Sequence, residues 1–326
     1  MKRLIAMLLS VCMIFALASC GDGEHADDVT VRVTVMKGPT GMGMAKLMED
    51  DATGVSQNDY EFTIAASPDE ARNALISGTA DIAALPVNLA AVLINKGVDI
   101  RFAAVNTKGV LYVLENGNEI ESVEDLRGKT IYSTGQGATP QYIFEYLLKK
   151  NGIDPEKDVT IEYLAEHAEL ASKLATNDVA IGVLPEPNVT TALNTAAQNQ
   201  NGALRIALDL TAEWNKLGEG ELVQGCLVVS GAFADAHPEQ YAKFLEEYEA
   251  STAYVVSDTE ASSKLIEKFG IIPKAPLAKK ALPNCNICFI DGEEGVTYMK
   301  RMLEILHAAN PASVGGKLPA DSFYGK

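Results

Sequence analysis

ESVEDLRGKTIYSTGQGATPQYIFEYLLKKNGIDPEKDVTIEYL, residues 121–164, contains a strand, a glycine-rich loop, a helix and a second strand in that order. Ser122 and Asp125 have the spacing of a capping box, which predicts one short turn of helix before the first strand. KTIYST predicts that strand, Pro140 marks the first turn of the helix PQYIFEYLLKKNG, and VTIEYL predicts the next strand. This order favours an α/β fold with a parallel sheet.

The same alternation continues on both sides of this stretch. Residues 29–105 predict four strands, TVRVTV, EFTIAA, ADIAAL and DIRFAAV, with helices between them. Ser67 and Pro68 have the residue types of an N-cap and a first helical turn. On the carboxyl side, AELASKLAT, DVAIGVL, EPNVTTALNTAA and LRIAL continue the pattern.

Two segments interrupt the alternation and are predicted to cross between two α/β series. They are GVLYVL, residues 109–114, and LVQGCLVVS, residues 222–230. They divide the chain into lobe 1, residues 29–110 plus 223–326, and lobe 2, residues 111–222. Each lobe is predicted to be a mostly parallel sheet flanked by helices, with the crossing strands as a hinge. Because open α/β sheets bind ligands at the carboxyl ends of their strands, we expect a binding cleft between the lobes.

Residues 121–164 resemble the opening of the second lobe in periplasmic substrate-binding proteins of the nitrate/taurine/sulfonate type. In that family an s-v-e-D-L-r-G-K turn precedes a strand, a glycine-rich loop and a helix, and G-i-d-p-e-k-D-V follows. GTADIAALPVNLAAVLINKG, residues 78–97, resembles the family's G-x-a-D-i-a-x-x-p strand and helix. The resemblance implies a type II two-lobed periplasmic binding protein that delivers a solute to the permease and ATPase subunits of an ABC importer. It does not identify the solute.

The amino terminus has the pattern of a bacterial lipoprotein signal. Lys2 and Arg3 precede the apolar run LIAMLLSVCMIFALA, and LASC, residues 17–20, resembles a lipobox. We therefore predict a signal peptide over residues 1–19, lipidation at Cys20 and a flexible tether over residues 20–28. The mature protein would be anchored to the cell membrane and face the extracellular or periplasmic side. An ordinary signal peptide with an incidental Cys20 is the alternative.

Charge and motif content exclude several classes of function. The formal net charge is −17, which repels nucleic acid phosphates. No G-x-S-x-G or H-E-x-x-H motif is present, and the histidines at 25, 167, 237 and 307 are scattered. We therefore predict a binding protein rather than an enzyme, with no cofactor and no nucleic-acid partner.

Cys285 and Cys288 have CxxC spacing, which leaves free thiols, a disulfide, or a redox or metal pair as alternatives. No second CxxC exists to complete a structural metal site. NCNICFI looks like a strand rather than the helix N-terminus that a reactive thiolate requires. We therefore predict no metal site.

The loop KGPTGMGM, residues 37–44, resembles a phosphate-binding loop only in part. Gly38 and Gly43 have the P-loop separation, but Met44 and Ala45 replace the lysine and hydroxyl residue that bind phosphate and Mg²⁺. Free N–H groups at a helix start still suit an anion or a polar group. We predict ligand contacts from Lys37, Thr40, Gly41 and Met42.

The loop STGQGAT, residues 133–139, is the matching loop of the second lobe, because it also leads into a helix N-terminus. The predicted ligand contacts here are Thr134, Gln136, Gly137, Ala138 and Thr139.

Three further side chains are predicted at the cleft. Asn88 follows the strand ADIAAL, where it could bind ligand or cap the next helix. Glu186 follows DVAIGVL and would repel nitrate or sulfonate and attract a cation or N–H donors, or it could complement the helix dipole. Gln224 lies on the second crossing segment.

None of the six arginines that follow the predicted signal peptide falls in a predicted cleft loop, and Lys37 is the only base there. A small inorganic oxyanion would normally require arginine. The expected solute is therefore a small polar organic or anionic molecule, with a heteroaromatic vitamin precursor of the thiamine-pyrimidine type as an alternative. We expect a monomeric solute-binding component of an importer. A ligand-sensing receptor domain would use the same cleft.

Overall fold

The structure is a computed structural model, and it describes residues 29–325. The predicted signal peptide, Cys20 and the tether at 20–28 lie outside the described residues. Residues 31–325 belong to one compact unit. None of the helices in the described part of the chain is long and apolar enough to cross a bilayer.

The described chain forms eleven strands in two sheets. The strands are β1 (Thr30–Met36), β2 (Asp59–Ala65), β3 (Ile82–Pro86), β4 (Ile100–Lys108), β5 (Leu111–Asn116), β6 (Thr130–Ser133), β7 (Thr160–Tyr163), β8 (Ile181–Pro185), β9 (Leu204–Asp209), β10 (Val223–Ser230) and β11 (Ile287–Ile290). Sheet A has the order β11-β4-β10-β3-β1-β2, and sheet B has the order β7-β6-β8-β5-β9.

Both predicted crossing segments are strands that run against their neighbours. β5 lies between β8 and β9 and is antiparallel to both, and β10 lies between β3 and β4 and is antiparallel to both. β1 with β3, and β6 with β7 and β8, are parallel pairs. The α/β class with two helix-flanked sheets is therefore confirmed, but the sheets are mixed rather than mostly parallel. β5 follows a strand of sheet A and β10 follows a strand of sheet B, and each runs antiparallel to both neighbours in the sheet that it joins.

Strand membership follows the predicted boundaries between the lobes. Sheet A takes its strands from residues 30–108 and 223–290, whereas sheet B takes all of its strands from residues 111–209. The division into two lobes that move about a hinge stays a prediction.

Helices and short 3-10 turns connect the strands. The helices are α1 (Pro39–Met42), α2 (Ala45–Ala52), α3 (Pro68–Ser77), α4 (Val87–Asn95), α5 (Thr139–Lys150), α6 (His167–Ala175), α7 (Asn188–Gln198), α8 (Leu210–Lys216), α9 (Gly231–Ala236), α10 (Pro238–Ser257), α11 (Thr259–Lys268), α12 (Ala275–Ala281) and α13 (Gly292–Ala309).

Two predicted helix starts are confirmed. The Ser67 hydroxyl accepts the Glu70 N–H at 3.3 Å and caps α3, with Pro68 as its first residue. The carboxylate of Asp125 accepts the Ser122 N–H at 2.8 Å, which is one half of the capping box ahead of β6. These two bonds fix the residues at which the helical turns begin, and they therefore position the loops between those turns and the preceding strands.

The hydrophobic core is continuous between the sheets. One cluster contains Leu85 and Val105 of sheet A together with Val113 and Ile131 of sheet B. A second cluster lies under α6 and α7 and includes Leu184. The segment between β4 and β5 is tightly packed, since a Cβ on Gly109 would lie 2.2 Å from the Thr211 hydroxyl oxygen. Glycine at this position therefore allows the close approach of β5 to α8.

Candidate functional site

A cleft of about 600 Å³ opens between the start of α3 and the loop that precedes α5. Its lining comes from four places along the chain, and comprises Ser67, Pro68, Asp69, Arg72, Leu89, Gly135, Gln136, Gly137, Ala138, Tyr163, Leu164 and Ala165. The lining loops follow β2, β6 and β7, so they meet at the carboxyl ends of strands from both sheets. Open α/β sheets bind ligands at this position.

Two helix N-termini contribute to the lining of the cleft, and the acidic Asp69 lies in the first turn of one of them. The start of α3 contributes Ser67 and Pro68, and the start of α5 contributes Ala138, the N-cap of that helix. Ala138 has no side-chain oxygen that could accept a hydrogen bond from the first turn of α5. Each helix start carries about half a positive charge, so the cleft favours an anionic or strongly polar ligand group.

Arg72 lines the cleft from α3, although no arginine falls in the cleft loops predicted from the sequence. It is one turn into α3, and its guanidinium contacts the Asp69 carboxylate at 2.9 Å. The predicted loops did not include it, because a long side chain in the second turn of a helix reaches the same space. The start signal at Ser67 and Pro68, directly after a strand, could have identified this helix as part of the site.

The second predicted loop contributes to the cleft with its central residues. Gln136, Gly137 and Ala138 line the cleft, and ligand contacts from them stay a prediction. Thr134 and Thr139 are buried on either side of them. The Thr134 hydroxyl lies 2.6 Å from Nδ1 of His167, and burial lowers the pKa of this histidine. His167 therefore supports the loop, a contact that sequence spacing did not indicate.

Asn88 joins α4 to the loop that precedes α5. Its Oδ1 accepts the Thr139 hydroxyl at 2.9 Å, and its Nδ2 donates to the carbonyls of Gly137 and Ser313, each at 3.2 Å. The predicted N-cap role is wrong, because Pro86 is the N-cap of α4 and Asn88 lies inside its first turn. The side chain instead ties α4 to the loop before α5.

The first predicted loop lies away from the lining of this cleft. Lys37 is exposed, and Thr40 exchanges hydrogen bonds of 3.3 Å with the backbone of Met36. A Cβ on Gly41 would lie 2.6 Å from the Met36 carbonyl oxygen, so glycine here serves close packing of the turn. Met42 is fully buried, and its sulfur lies 3.9 Å from Sγ of Cys285. Ligand contacts from these residues stay a prediction.

Glu186 lies directly after β8 and is buried. Its carboxylate accepts the N–H of Thr190 at 3.0 Å and the Thr190 hydroxyl at 2.9 Å, so it supports the start of α7. Burial raises the pKa of this carboxyl. Pro187 lies beside the first loop, because a Cβ added to Gly38 would lie 3.8 Å from its Cδ.

Gln224 supports the connection between the sheets. Its side-chain oxygen accepts the Val110 N–H at 2.5 Å, just before β5. The predicted position on a crossing strand is confirmed, since Gln224 is in β10. The bond to Val110 satisfies the side-chain oxygen, and a ligand contact from Gln224 stays a prediction.

Cys226, Cys285 and Cys288 are free thiols. Burial raises the pKa of Cys285, and it raises the pKa of Cys288 to about 12. NCNICFI contains the short strand β11, as predicted. Thiols held in this protonated state do not suit redox chemistry. Residues 29–325 contain no group of histidine, cysteine and acidic side chains arranged to hold a metal ion.

Comparison with known proteins gives one family and several similar folds. Residues 45–272 match the family described as ABC transporter, phosphonate, periplasmic substrate-binding protein. The putative binding protein YtlA of Bacillus subtilis strain 168 is 26% identical over 188 residues, which are 56% of this chain and 55% of that protein. The chain therefore aligns with about half the length of that curated relative.

Two solved structures show the fold at low sequence identity. An ABC transporter structure from Parabacteroides distasonis has a TM-score of 0.75 at 24% identity, and the match covers 91% of this chain and 99% of that chain. The periplasmic aliphatic sulphonate binding protein SsuA of Escherichia coli has a TM-score of 0.69 at 16% identity, with 89% and 92% covered.

Proposed function

The chain belongs to the phosphonate family of periplasmic substrate-binding proteins of ABC transporters, and we propose that it captures a small solute in the cleft between α3 and α5 for delivery to a permease. The observation that carries this proposal is the cleft itself. Its lining combines two helix N-termini with Arg72 at the carboxyl ends of strands from both sheets.

The chemistry of the lining favours a solute with an anionic or strongly polar end. Arg72 can donate to a phosphonate, sulfonate or carboxylate once Asp69 moves aside, and helix N-termini favour the same groups. The lining contains no apolar aromatic face apart from Tyr163. These features support a phosphonate- or sulfonate-like solute more than a heteroaromatic ring.

Capture would proceed by hinge closure about β5 and β10, the connections between the sheets. Asn88 supports this proposal, because its bonds to Gly137 and Thr139 join a helix that follows sheet A to a loop that follows sheet B. We further propose that the chain is a monomer without catalytic activity, anchored through Cys20 outside the cytoplasm. Its partners would be the permease and ATPase subunits of an importer.

Thermal unfolding of the full-length chain with separate solutes tests this function. The panel would contain methylphosphonate, ethanesulfonate, taurine, nitrate and the pyrimidine precursor of thiamine. A solute present at 100 times its Kd adds about 2.7 kcal/mol to the free energy of unfolding and raises the Tm. We expect a phosphonate or sulfonate to raise it. A Tm that no member of the panel changes would count against the proposed function.

A further inference from the structure

The backbone of Gly137, in the cleft lining, is held by side chains from two helices. Its N–H donates to Oε1 of Gln141 at 2.7 Å, and its carbonyl accepts Nδ2 of Asn88 at 3.2 Å. Gly135 and Gly137 both have left-handed backbone angles, with φ of 72° and 77°. Glycine populates left- and right-handed regions about equally, so such a loop has little conformational preference of its own. The conformation of the lining loop 135–138 therefore depends on the side chains that hold it.

Glu145 determines which end of the Gln141 carboxamide faces Gly137. Nε2 of Gln141 donates to Oε1 of Glu145 at 2.7 Å, one helical turn further along α5. An ionised carboxylate can only accept hydrogen bonds, so it must face the NH2 group of the glutamine. The carboxamide oxygen is then directed at the Gly137 N–H, whereas a flipped carboxamide would set two donors against each other. The charge of Glu145 thus orients Gln141, and Gln141 holds the lining loop.

The same carboxylate reaches a second segment of the cleft lining. The Tyr163 hydroxyl, at the end of β7, donates to Oε1 of Glu145 at 3.5 Å. Burial, followed by the charge of Glu145, raises the pKa of Tyr163, so its hydroxyl stays a donor. The hydrogen bonds therefore run from Gly137 through Gln141 and Glu145 to Tyr163. Gly137 and Tyr163 line the cleft, whereas Gln141 and Glu145 do not, so the latter two act on the cleft through the former.

A purely local role for Gln141 would give it different requirements. Gln141 is the third residue of α5, and glutamine or glutamate at this position commonly accepts a backbone N–H at the start of a helix. Glutamate would serve that role equally well, because its charge also favours the helix N-terminus. With Glu145 as the neighbour, however, a glutamate at position 141 would bring two carboxylates into contact. The side chain required at position 141 therefore depends on Glu145.

We propose that Gln141 and Glu145 are positioning residues for solute capture, which hold the lining loop 135–138 in one conformation before the solute arrives. This inference rests on the proposed function and adds to it two residues outside the cleft lining. Without their hydrogen bonds, a solute would have to order a loop that contains two glycines, and this ordering would lower its affinity.

An exchange of the two side chains tests this inference in the solute-free, full-length chain. In Gln141→Glu the two carboxylates repel each other, so the Gly137 N–H should exchange with deuterium about tenfold or more faster than in wild type. The double variant Gln141→Glu/Glu145→Gln keeps the net charge. Its carboxylate at position 141 can accept both the Gly137 N–H and the carboxamide at position 145. Exchange of the Gly137 N–H, measured by NMR, should therefore return to the wild-type rate.

Solute affinity should follow the same order. Calorimetric titration with methylphosphonate, ethanesulfonate and taurine should give a Kd about tenfold higher for Gln141→Glu than for wild type, and a wild-type Kd for the double variant. The double variant also excludes simple repulsion of an anionic solute, because it carries the same carboxylate at position 141.

Gln198→Glu is the matched control, because it makes the same chemical change on an exposed residue at the end of α7, outside the cleft lining. It should change neither the exchange of the Gly137 N–H nor the Kd. Circular dichroism and a cooperative thermal transition check that each variant is folded.

Three results would overturn the inference. Gln141→Glu could match wild type in exchange and affinity, as a local role predicts, or the double variant could behave like the single one. Exchange could also change as expected while affinity stays constant. Each of these results leaves solute capture intact. Absence of any solute-induced shift in Tm across the thermal unfolding panel instead removes the proposed function, and the exchange rates still report whether Gln141 and Glu145 hold the loop.

Discussion

Asn88 and Thr139 hydrogen-bond through their side chains at 2.9 Å, although 51 residues separate them along the chain. Asn88 is in the first turn of α4, which follows sheet A, and Thr139 begins α5, which follows sheet B. This bond is the shortest of the three hydrogen bonds that the Asn88 side chain makes, and it joins α4 to the start of α5.

Asn88→Ala should therefore lower both the stability of the protein and its affinity for the solute. The variant loses three side-chain hydrogen bonds and leaves their buried partners unsatisfied. We expect the free energy of unfolding, measured by urea titration, to fall by about 1–3 kcal/mol. Asn95→Ala is the control, because Asn95 in the last turn of α4 donates to Val314 and Lys317 and not to the α5 loop. It should lower stability without changing solute affinity. Equal effects of both variants on affinity would contradict the linking role of Asn88.

Arg72→Gln should weaken binding of an anionic solute about tenfold or more, since a charge-assisted hydrogen bond is lost. Asp69→Asn should leave affinity unchanged or raise it, because it frees the guanidinium that Asp69 now holds at 2.9 Å. Calorimetric titration measures both affinities, with the phosphonate or sulfonate that raises the Tm in the thermal unfolding panel as the solute. Arg127→Gln is the control, because Arg127 pairs with Asp158 and does not line the cleft. An unchanged affinity in Arg72→Gln would remove this arginine from the site.

Glu186→Gln should raise the stability of the solute-free protein by about 1–2 kcal/mol at pH 7.5, because it removes a buried charge that forms no salt bridge with any described residue. The pKa of Glu186 is raised by burial, so the folded state takes up a proton before the unfolded state does as the pH falls. Wild type then gains stability as the pH falls through the raised pKa, and the advantage of the variant disappears below the ordinary range for glutamate.

Urea unfolding of solute-free protein between pH 4 and pH 7.5 measures this difference. Glu115→Gln should have the opposite sign at pH 7.5, because it leaves Arg205 without its buried partner. A Glu186→Gln variant that is less stable than wild type at pH 7.5 would show that the carboxylate already has adequate partners.

Glu219 connects α5 to α13 near the second connection between the sheets. It accepts the Tyr146 hydroxyl at 2.7 Å, Lys150 at 2.8 Å and Arg301 at 2.6 Å. The hydrogen bond from Lys150, followed by that from Tyr146, lowers the pKa of Glu219. The stabilisation is present above the ordinary pKa of glutamate and is lost as the pH falls through the lowered value.

Glu219→Gln should therefore cost about 1–2 kcal/mol at pH 7 and close to nothing at low pH. Urea unfolding at both pH values measures the cost, with Glu213→Gln as the control for a pair within one helix. A cost that stays constant with pH would mean that the charge of Glu219 contributes nothing.

Local patterns in the sequence predicted the strands, the helices and the loop 133–139, because caps and alternation are short-range signals. TVRVTV, ADIAAL and DIRFAAV became β1, β3 and β4, and the capped starts at Ser67 and Ser122 have the predicted bonds. The insertion of β5 and β10 against their neighbours was not predicted, because strand pairing depends on residues far apart in the chain.

The same limit applies to the site. Arg72 was missed because its reach depends on the direction of α3, and Asn88 was assigned a local cap although its partners are 49 to 225 residues away. Gly41 has the spacing of a ligand loop, but the Met36 carbonyl fills the space beside it. The lack of a charge partner for Glu186 is likewise visible only once the neighbouring side chains are in place.

The most direct test of solute capture is native mass spectrometry of the full-length chain, purified without refolding, beside the variant Ala138→Trp. Ala138 lines the cleft and has extended backbone angles, φ −114° and ψ 171°, so a tryptophan fills the cleft without backbone strain. Wild type should carry one low-mass compound at a one-to-one ratio, and the variant from the same cells should carry none. A wild-type chain without a bound compound, or the same compound on both proteins, would contradict capture of a solute in this cleft.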